Sequence, residues 1–316
     1  MAAALNEMTA LRANRRGGPE QLVIERAPVP VAAAGEALVA VHAAAITFDE
    51  LTWEETWTRD GVSRTPVIPS HEVSGVVSAV ADDVTDFVPG DEVYGLIAFD
   101  RDGAAADFVA VPAADLAAKP STVSHVVAAA LPLAGLTALQ ALVDHAAVRP
   151  KESVLVHGGA GGVGLLTVQL VALLGAQVTA TVRSDTANLL RGCGAHRVID
   201  TRTEAFDEAG AAYDVVVDTV GGQTLERSYG VLRRGGRLVT LSAPPPDGRA
   251  DEFGVSATFF IVTPNRDQLA ELAALVDSDR LHVAIAQTFP LDEGREAFES
   301  RERGGRAGKT VLVVRD

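Results

Sequence analysis

The chain has 316 residues, 47% hydrophobic and 22% charged, enough to bury a large core and divide into two domains. A formal net charge of −15 leaves no basic face for nucleic acid or an anionic membrane, and no apolar run reaches the roughly 20 residues that span a bilayer. A single cysteine, Cys193, excludes internal disulfides and multi-cysteine zinc sites. The start, MAAALNEMTALRANRR, lacks the basic-then-apolar order of a secretory signal, so a cytoplasmic location is expected.

From about residue 9 to 120 the chain reads as short strands separated by turn residues: QLVIERAPV, EALVAVHAAAI, EVSGVVSAV, DEVYGLIAF and DFVAVP. This half is expected to form a β-barrel or sandwich. Within it, PVIPSHEVSGVV places His71 and Glu72 side by side in an apolar run, which raises the question of a metal. Trp53 and Trp57 stand four apart. On a helix they share a face, either walling a substrate pocket or capping the core.

After Pro120 the pattern changes. SHVVAAALPLAGLTALQALVDHA has helical periodicity, with Pro132 starting or breaking a helix. Strands and helices then alternate: SVLVHGG, a helix over 162–174, QVTATV, a helix over 185–192, RVID, DVVVDTV, a helix over 223–232, RLVTL and ATFFIV. The strands are nearly continuous apolar runs, as in a parallel sheet covered on both faces, so this half is a doubly wound α/β domain. VAIAQTFPL, a helix around 292–301 and KTVLVV return to β-type sequence.

The strand 153–157 runs into Gly158-Gly159-Ala160-Gly161-Gly162-Val163-Gly164 and then a helix. Gly159, Gly161 and Gly164 fit G-x-G-x-x-G, where glycine allows a tight turn, close approach to a pyrophosphate and tight helix–strand packing. The second strand ends in Val182-Arg183-Ser184, without the acidic residue that holds NADH ribose hydroxyls. Arg183 and Ser184 suit the 2′-phosphate of NADPH; otherwise Arg183 is a surface loop residue, and Asp185 beside it would repel a phosphate unless turned away.

PGDEVYGL, AALPLAGLTALQAL, VLVHGGAGGVG, YDVVVDTVGG, GGRLVTL and GKTVLVV, in this order, resemble the zinc-independent medium-chain dehydrogenase/reductases of the quinone oxidoreductase, or zeta-crystallin, type. The resemblance implies a GroES-like catalytic domain over 1–121 and 283–316 and a Rossmann NADP-binding domain over 122–282, with nicotinamide held in the cleft between them. It implies cofactor contacts at Thr137, Gly159, Ala160, Gly161, Gly162, Val163, Gly164, Arg183, Ser184, Thr201, Val220, Leu241, Ser242, Phe260 and Ile261. Thr47 and Tyr94 become the candidate catalytic donors, and Trp53 and Trp57 candidate substrate walls.

Zinc-using relatives carry a cysteine near position 45, a Gly-His-Glu block and further cysteines. Here the positions read Ala44-Ala45-Ile46-Thr47 and Ser70-His71-Glu72, so no metal is expected and both His71 and Glu72 are expected to be hydrogen-bonded. Two departures stand out: Thr47-Phe48 replaces an Asn-Pro, and Thr201 replaces a tyrosine. Without a Lewis acid, the acceptor must spread the incoming charge itself, as quinones and conjugated enones do. The expected activity is NADPH-dependent hydride transfer to such an acceptor. An enoyl reductase of polyketide or lipid metabolism is the runner-up, and a non-catalytic NADPH-binding protein the other alternative. The apolar edge SATFFIV implies a homodimer.

Overall fold

The computed structural model describes residues 6–208, 210–300 and 306–315. The first five residues of the N-terminal stretch and residue 301 of the expected last helix lie outside this range. The chain forms two compact units, residues 1–133 with 263–316, and residues 134–262.

In the first unit an antiparallel hairpin, Glu7–Ala13 with Leu22–Pro28, precedes a mixed sheet ordered Ile285–Pro290, Lys309–Val313, Glu36–Ala45, Glu72–Val80, Glu92–Leu96, Leu116–Ala118, with Phe108–Pro112 also paired to Glu36–Ala45. Glu36–Ala45 is the hub: Val39 and Val41 enter one apolar core, and a register shift between Val41 and Ala43 reverses the alternation, so Ala44 joins that core while Ala43 and Ala45 enter another. That explains why the segment reads as an unbroken apolar run. Glu7–Ala13 is a strand that turn spacing did not single out.

The helix Arg266–Asp277 packs in this first unit, although its position in sequence suggested the nucleotide-binding half. Asn265 caps it, accepting from the Gln268 N–H at 3.0 Å, and Leu269, Leu272, Ala273 and Val276 form its buried stripe. Its last residue, Asp277, accepts from the backbone N–H groups of Ser121 (3.1 Å) and Thr122 (2.9 Å).

The second unit carries six parallel strands ordered Arg197–Asp200, Gln177–Val182, Ser153–His157, Tyr213–Asp218, Leu232–Thr240, Ser256–Phe259. In chain order this is 3-2-1-4-5-6, the Rossmann arrangement, in which a dinucleotide lies across the carboxyl ends of the strands. Helix Gly162–Leu173 follows the glycine loop as expected. The helix expected over 223–232 covers only Gly222–Ser228, because a 3-10 turn at Tyr229–Val231 leads straight into the next strand. ATFFIV is strand only to Phe259.

Pro132 does start a helix, Pro132–Leu139, where its missing N–H costs nothing. The helix then widens to a π turn over Gln140–His145. Among the described residues no helix is long and apolar enough to cross a membrane.

Candidate active site

In the second unit the glycine loop is pinned to its neighbours. Gly159 N–H donates to the Thr181 carbonyl at 2.9 Å, and Gly161 N–H to the Gly158 carbonyl at 3.0 Å. A Cβ at Gly164 would lie 2.2 Å from the Gly158 carbonyl oxygen, so glycine alone lets the helix start this close to the strand. At Gly161 a Cβ would meet only that same oxygen, at 3.4 Å; the loop has open space there for a ligand. No side chain caps the helix at Gly161, and its first-turn N–H groups are left for an anion.

Beside the loop lies a cavity of ≈ 690 Å³ whose walls include Ala160, Gly161, Arg183, Thr201 and Val220. Its other arginines are engaged: Arg202 with Asp185 and Asp200, each at 2.6 Å, and Arg227 with Asp207 at 2.8 Å. Asp185 is therefore neutralised rather than set against a phosphate. Among the described residues Arg183 makes no hydrogen bond or ion pair and is exposed, a free guanidinium at the end of the second strand. Ser184 shares a 2.9 Å hydrogen bond with Thr186, and the Thr201 hydroxyl donates to the Val182 carbonyl at 3.1 Å. The uncapped helix, open loop and free arginine fit the phosphates of NADPH.

The other expected cofactor residues stand apart from this cavity. Leu241 and Ser242 follow the strand Leu232–Thr240, and both are tied to the buried Asp218: Leu241 N–H to its carbonyl at 2.9 Å, Ser242 Oγ to its carboxylate at 3.2 Å. Phe260 packs against His145, ring centroids 4.2 Å apart, and Ile261 is 55% exposed. Thr137 is buried within Pro132–Leu139.

In the first unit, Thr47, Glu50, His71, Glu72 and Lys309 come together. The Glu50 carboxyl ties two loops, accepting from Ser70 N–H at 3.0 Å and Thr47 N–H at 3.3 Å. Glu72 accepts from the Leu133 N–H at 2.9 Å and pairs closely with the Lys309 ammonium, which also donates to Thr47 Oγ1 at 3.3 Å. Burial pushes the Glu50 carboxyl up to about 8, against its two N–H donors and Lys309. Burial likewise pushes His71 down to about 3, helped by Arg64. Both groups are neutral near pH 7.

His71 corrects one expectation. Glu72 is hydrogen-bonded, but among the described residues neither ring nitrogen of His71 has a hydrogen-bond partner, and Glu50 Oε2 stays 3.7 Å from its Nε2. Apolar packing holds the ring instead, with Phe99 edge-on at 5.4 Å. A zinc ion does not fit this donor set: Glu72 is neutralised by Lys309, Glu50 is occupied by backbone N–H groups, and one imidazole remains where about three ligands are needed.

Tyr94 is a second correction. It is fully buried, and its hydroxyl donates to the Leu269 carbonyl of the helix Arg266–Asp277. Burial, then Asp277, holds the phenol far above its ordinary range. It fastens that helix to the sheet, and its committed donor is not available to a substrate. Trp57 is a third. The helix begins only at Glu54, with Trp53 outside it in extended conformation, so the two indoles share no helical face. Trp57 is 2% exposed in the core, its Nε1 donating to the Leu51 carbonyl at 2.9 Å. Trp53 packs on Phe99 at 4.8 Å, and Phe99 in turn meets the buried His71 ring.

With both sites described, comparison with known proteins decides the family. Residues 33–121 match the family described as "Alcohol dehydrogenase GroES-like domain" and residues 193–312 match "Zinc-binding dehydrogenase". The chain is 32% identical to the NADPH-dependent alkenal/one oxidoreductase of Arabidopsis thaliana chloroplasts, over 97% of this chain and 79% of that protein. It superposes on the quinone oxidoreductase of Coxiella burnetii with a TM-score of 0.90, at 30% identity over 98% of this chain and 100% of that one. The chain belongs to the zinc-independent, quinone oxidoreductase-like medium-chain dehydrogenase/reductases. A mycobacterial protein solved with NADPH also matches, with a TM-score of 0.85 and 30% identity over 97% of this chain and all of that one.

The free Arg183 yields the first expected result. Arg183→Ala should weaken NADPH binding about tenfold or more and leave NADH nearly unchanged, since a charge-assisted contact contributes about 1.5–3 kcal/mol. Fluorescence titration of both cofactors checks this; equal losses would assign Arg183 to the fold.

Proposed function

We propose that this chain is an NADPH-dependent oxidoreductase that reduces quinones or other α,β-unsaturated carbonyls without zinc. One observation carries the reading: Lys309 neutralises Glu72, leaving His71 alone where a metal would need about three ligands. When bound, NADPH supplies the hydride. An acceptor that takes the hydride as an aromatic hydroquinone anion or a delocalised enolate, and then a proton from water, needs only orientation and one hydrogen-bond donor from the protein.

Thr47 is that donor. It is half-buried, and its hydroxyl hydrogen has no acceptor among the described residues. The half-buried rings of Trp53 and Phe99, tilted 58° to each other, offer apolar faces on which a planar acceptor can rest. The test is a substrate panel followed by NADPH oxidation. Quinones and enones should turn over, enoyl thioesters should fall below them, and saturated ketones should be nearly inert. Saturated carbonyls reduced as fast as enones would refute the reading.

Among the described residues the strand Ser256–Phe259 pairs on one side only, with Leu232–Thr240, and Ile261, two residues past its end, is exposed. An open edge of this kind supports a homodimer built by strand pairing, which light scattering at micromolar concentration checks. The cytoplasmic location is part of the same proposal.

A further inference from the structure

The ammonium of Lys309 is nearly buried, held between Glu72 and Thr47 Oγ1, and comes from a strand 262 residues from the threonine it meets. A lysine ammonium has donors and no acceptor, so the Thr47 oxygen must accept this bond. The threonine's own hydrogen then points elsewhere. No acceptor among the described residues takes it: the one contact of Thr47 Oγ1 is the bond it accepts from Lys309. Glu72 in turn is fixed by the Leu133 N–H, so the cation cannot swing away without leaving a buried carboxylate unpaired.

We propose that Lys309 is a positioning residue, donating to Thr47 Oγ1 so that the Thr47 hydroxyl hydrogen is aimed outward at the oxyanion developing on the acceptor. The inference rests on the reading of Thr47 as that donor. No proton leaves Lys309; the positive charge polarises the threonine hydroxyl and makes it a stronger donor in a site of low dielectric. The arrangement also accounts for Glu72, whose carboxylate holds the cation in place.

The experiment is a double-mutant cycle of Lys309→Met and Thr47→Val, read as kcat with a quinone acceptor and as NADPH affinity. Thr47→Val should lower kcat about a hundredfold, the loss of one oxyanion donor, with NADPH affinity unchanged. Lys309→Met should lower kcat about tenfold or more, Lys309→Arg should restore most of it, and in the Thr47→Val background Lys309→Met should change kcat less than about twofold. Losses from Lys309→Met that are equal in both backgrounds would overturn the positioning role while leaving Thr47 as the donor. Full activity of Thr47→Val would remove Thr47, and Lys309 with it. If Lys309→Met does not fold, the cycle is run in a Glu72→Gln background, where no carboxylate is stranded.

Discussion

Gly164→Ala should destabilise the second unit severely, whereas Gly161→Ala should leave it folded and lose the cofactor. At Gly164 the added Cβ would stand 2.2 Å from the Gly158 carbonyl oxygen and 2.9 Å from Gly159 Cα, all backbone that cannot rotate away. Relief requires moving the helix Gly162–Leu173 off the strand Ser153–His157, and overpacking of this kind costs about 1–3 kcal/mol or more. Gly161 has φ −74°, which alanine adopts, and its nearest contact is an ordinary 3.4 Å. The loss there is the weaker helix start, about 1 kcal/mol or less. Its methyl would nevertheless fill the space through which a pyrophosphate reaches the helix N–H groups. Thermal melts paired with NADPH titrations separate the two variants; undiminished NADPH binding by Gly161→Ala would remove the loop from the cofactor site.

The buried Glu50 predicts a pH dependence of stability that belongs to the cluster around Thr47 and Lys309. An unfolded chain releases this proton near the ordinary 4.5, while the folded chain keeps it to about 8. Between those values the folded state binds more protons, so stability falls as pH rises, by up to about 1.4 kcal/mol per unit. His71 has the opposite sign. From its ordinary 6.5 down to about 3 the unfolded chain holds the extra proton, so stability falls as pH falls. The two slopes oppose each other between 4.5 and 6.5, and the Glu50 contribution stands uncancelled from about 6.5 to 8. The charges facing Glu50 are Lys309 and Glu72, with His71 neutral beside it. Glu50→Gln should flatten that alkaline limb by roughly 1.4 kcal/mol per unit, whatever constant offset the amide introduces. Denaturant melts at pH 6.5, 7.2 and 8.0 measure the slopes, and parallel slopes for both proteins would contradict the assignment.

The second unit was legible in sequence because its strands, buried on both faces, read as apolar runs and its glycine loop follows the first of them at fixed spacing. The candidate catalytic cluster of the first unit was less so. Thr47 and Lys309 lie at opposite ends of the chain, and only the pairing of Lys309–Val313 with Glu36–Ala45 brings them together. Lys309 sat inside a recognised terminal motif, but spacing says nothing about what a strand's first side chain meets. Glu50 carries no signal in the sequence, since an acidic residue next to Asp49 has the pattern of solvated surface, whereas two backbone N–H groups draw it inside. Trp53 and Trp57 misled because four-residue spacing implies a shared face only if the helix includes both. Tyr94 misled for a different reason: its strand, Glu92–Leu96, buries consecutive residues, so alternation could not tell an inward hydroxyl from one facing a substrate.

The measurement that bears most directly on the account is the rate of NADPH oxidation with an enone, taken on protein dialysed against a strong chelator and assayed in parallel for zinc by elemental analysis. His71 stands without partner ligands, and Glu72 is bound to Lys309 instead of a metal. The account predicts less than about one zinc in ten chains and an unchanged rate, because the conjugated acceptor and one threonine hydroxyl carry the charge that a Lewis acid would otherwise take. One zinc per chain, lost together with activity on chelation and restored with it on adding zinc back, would contradict it.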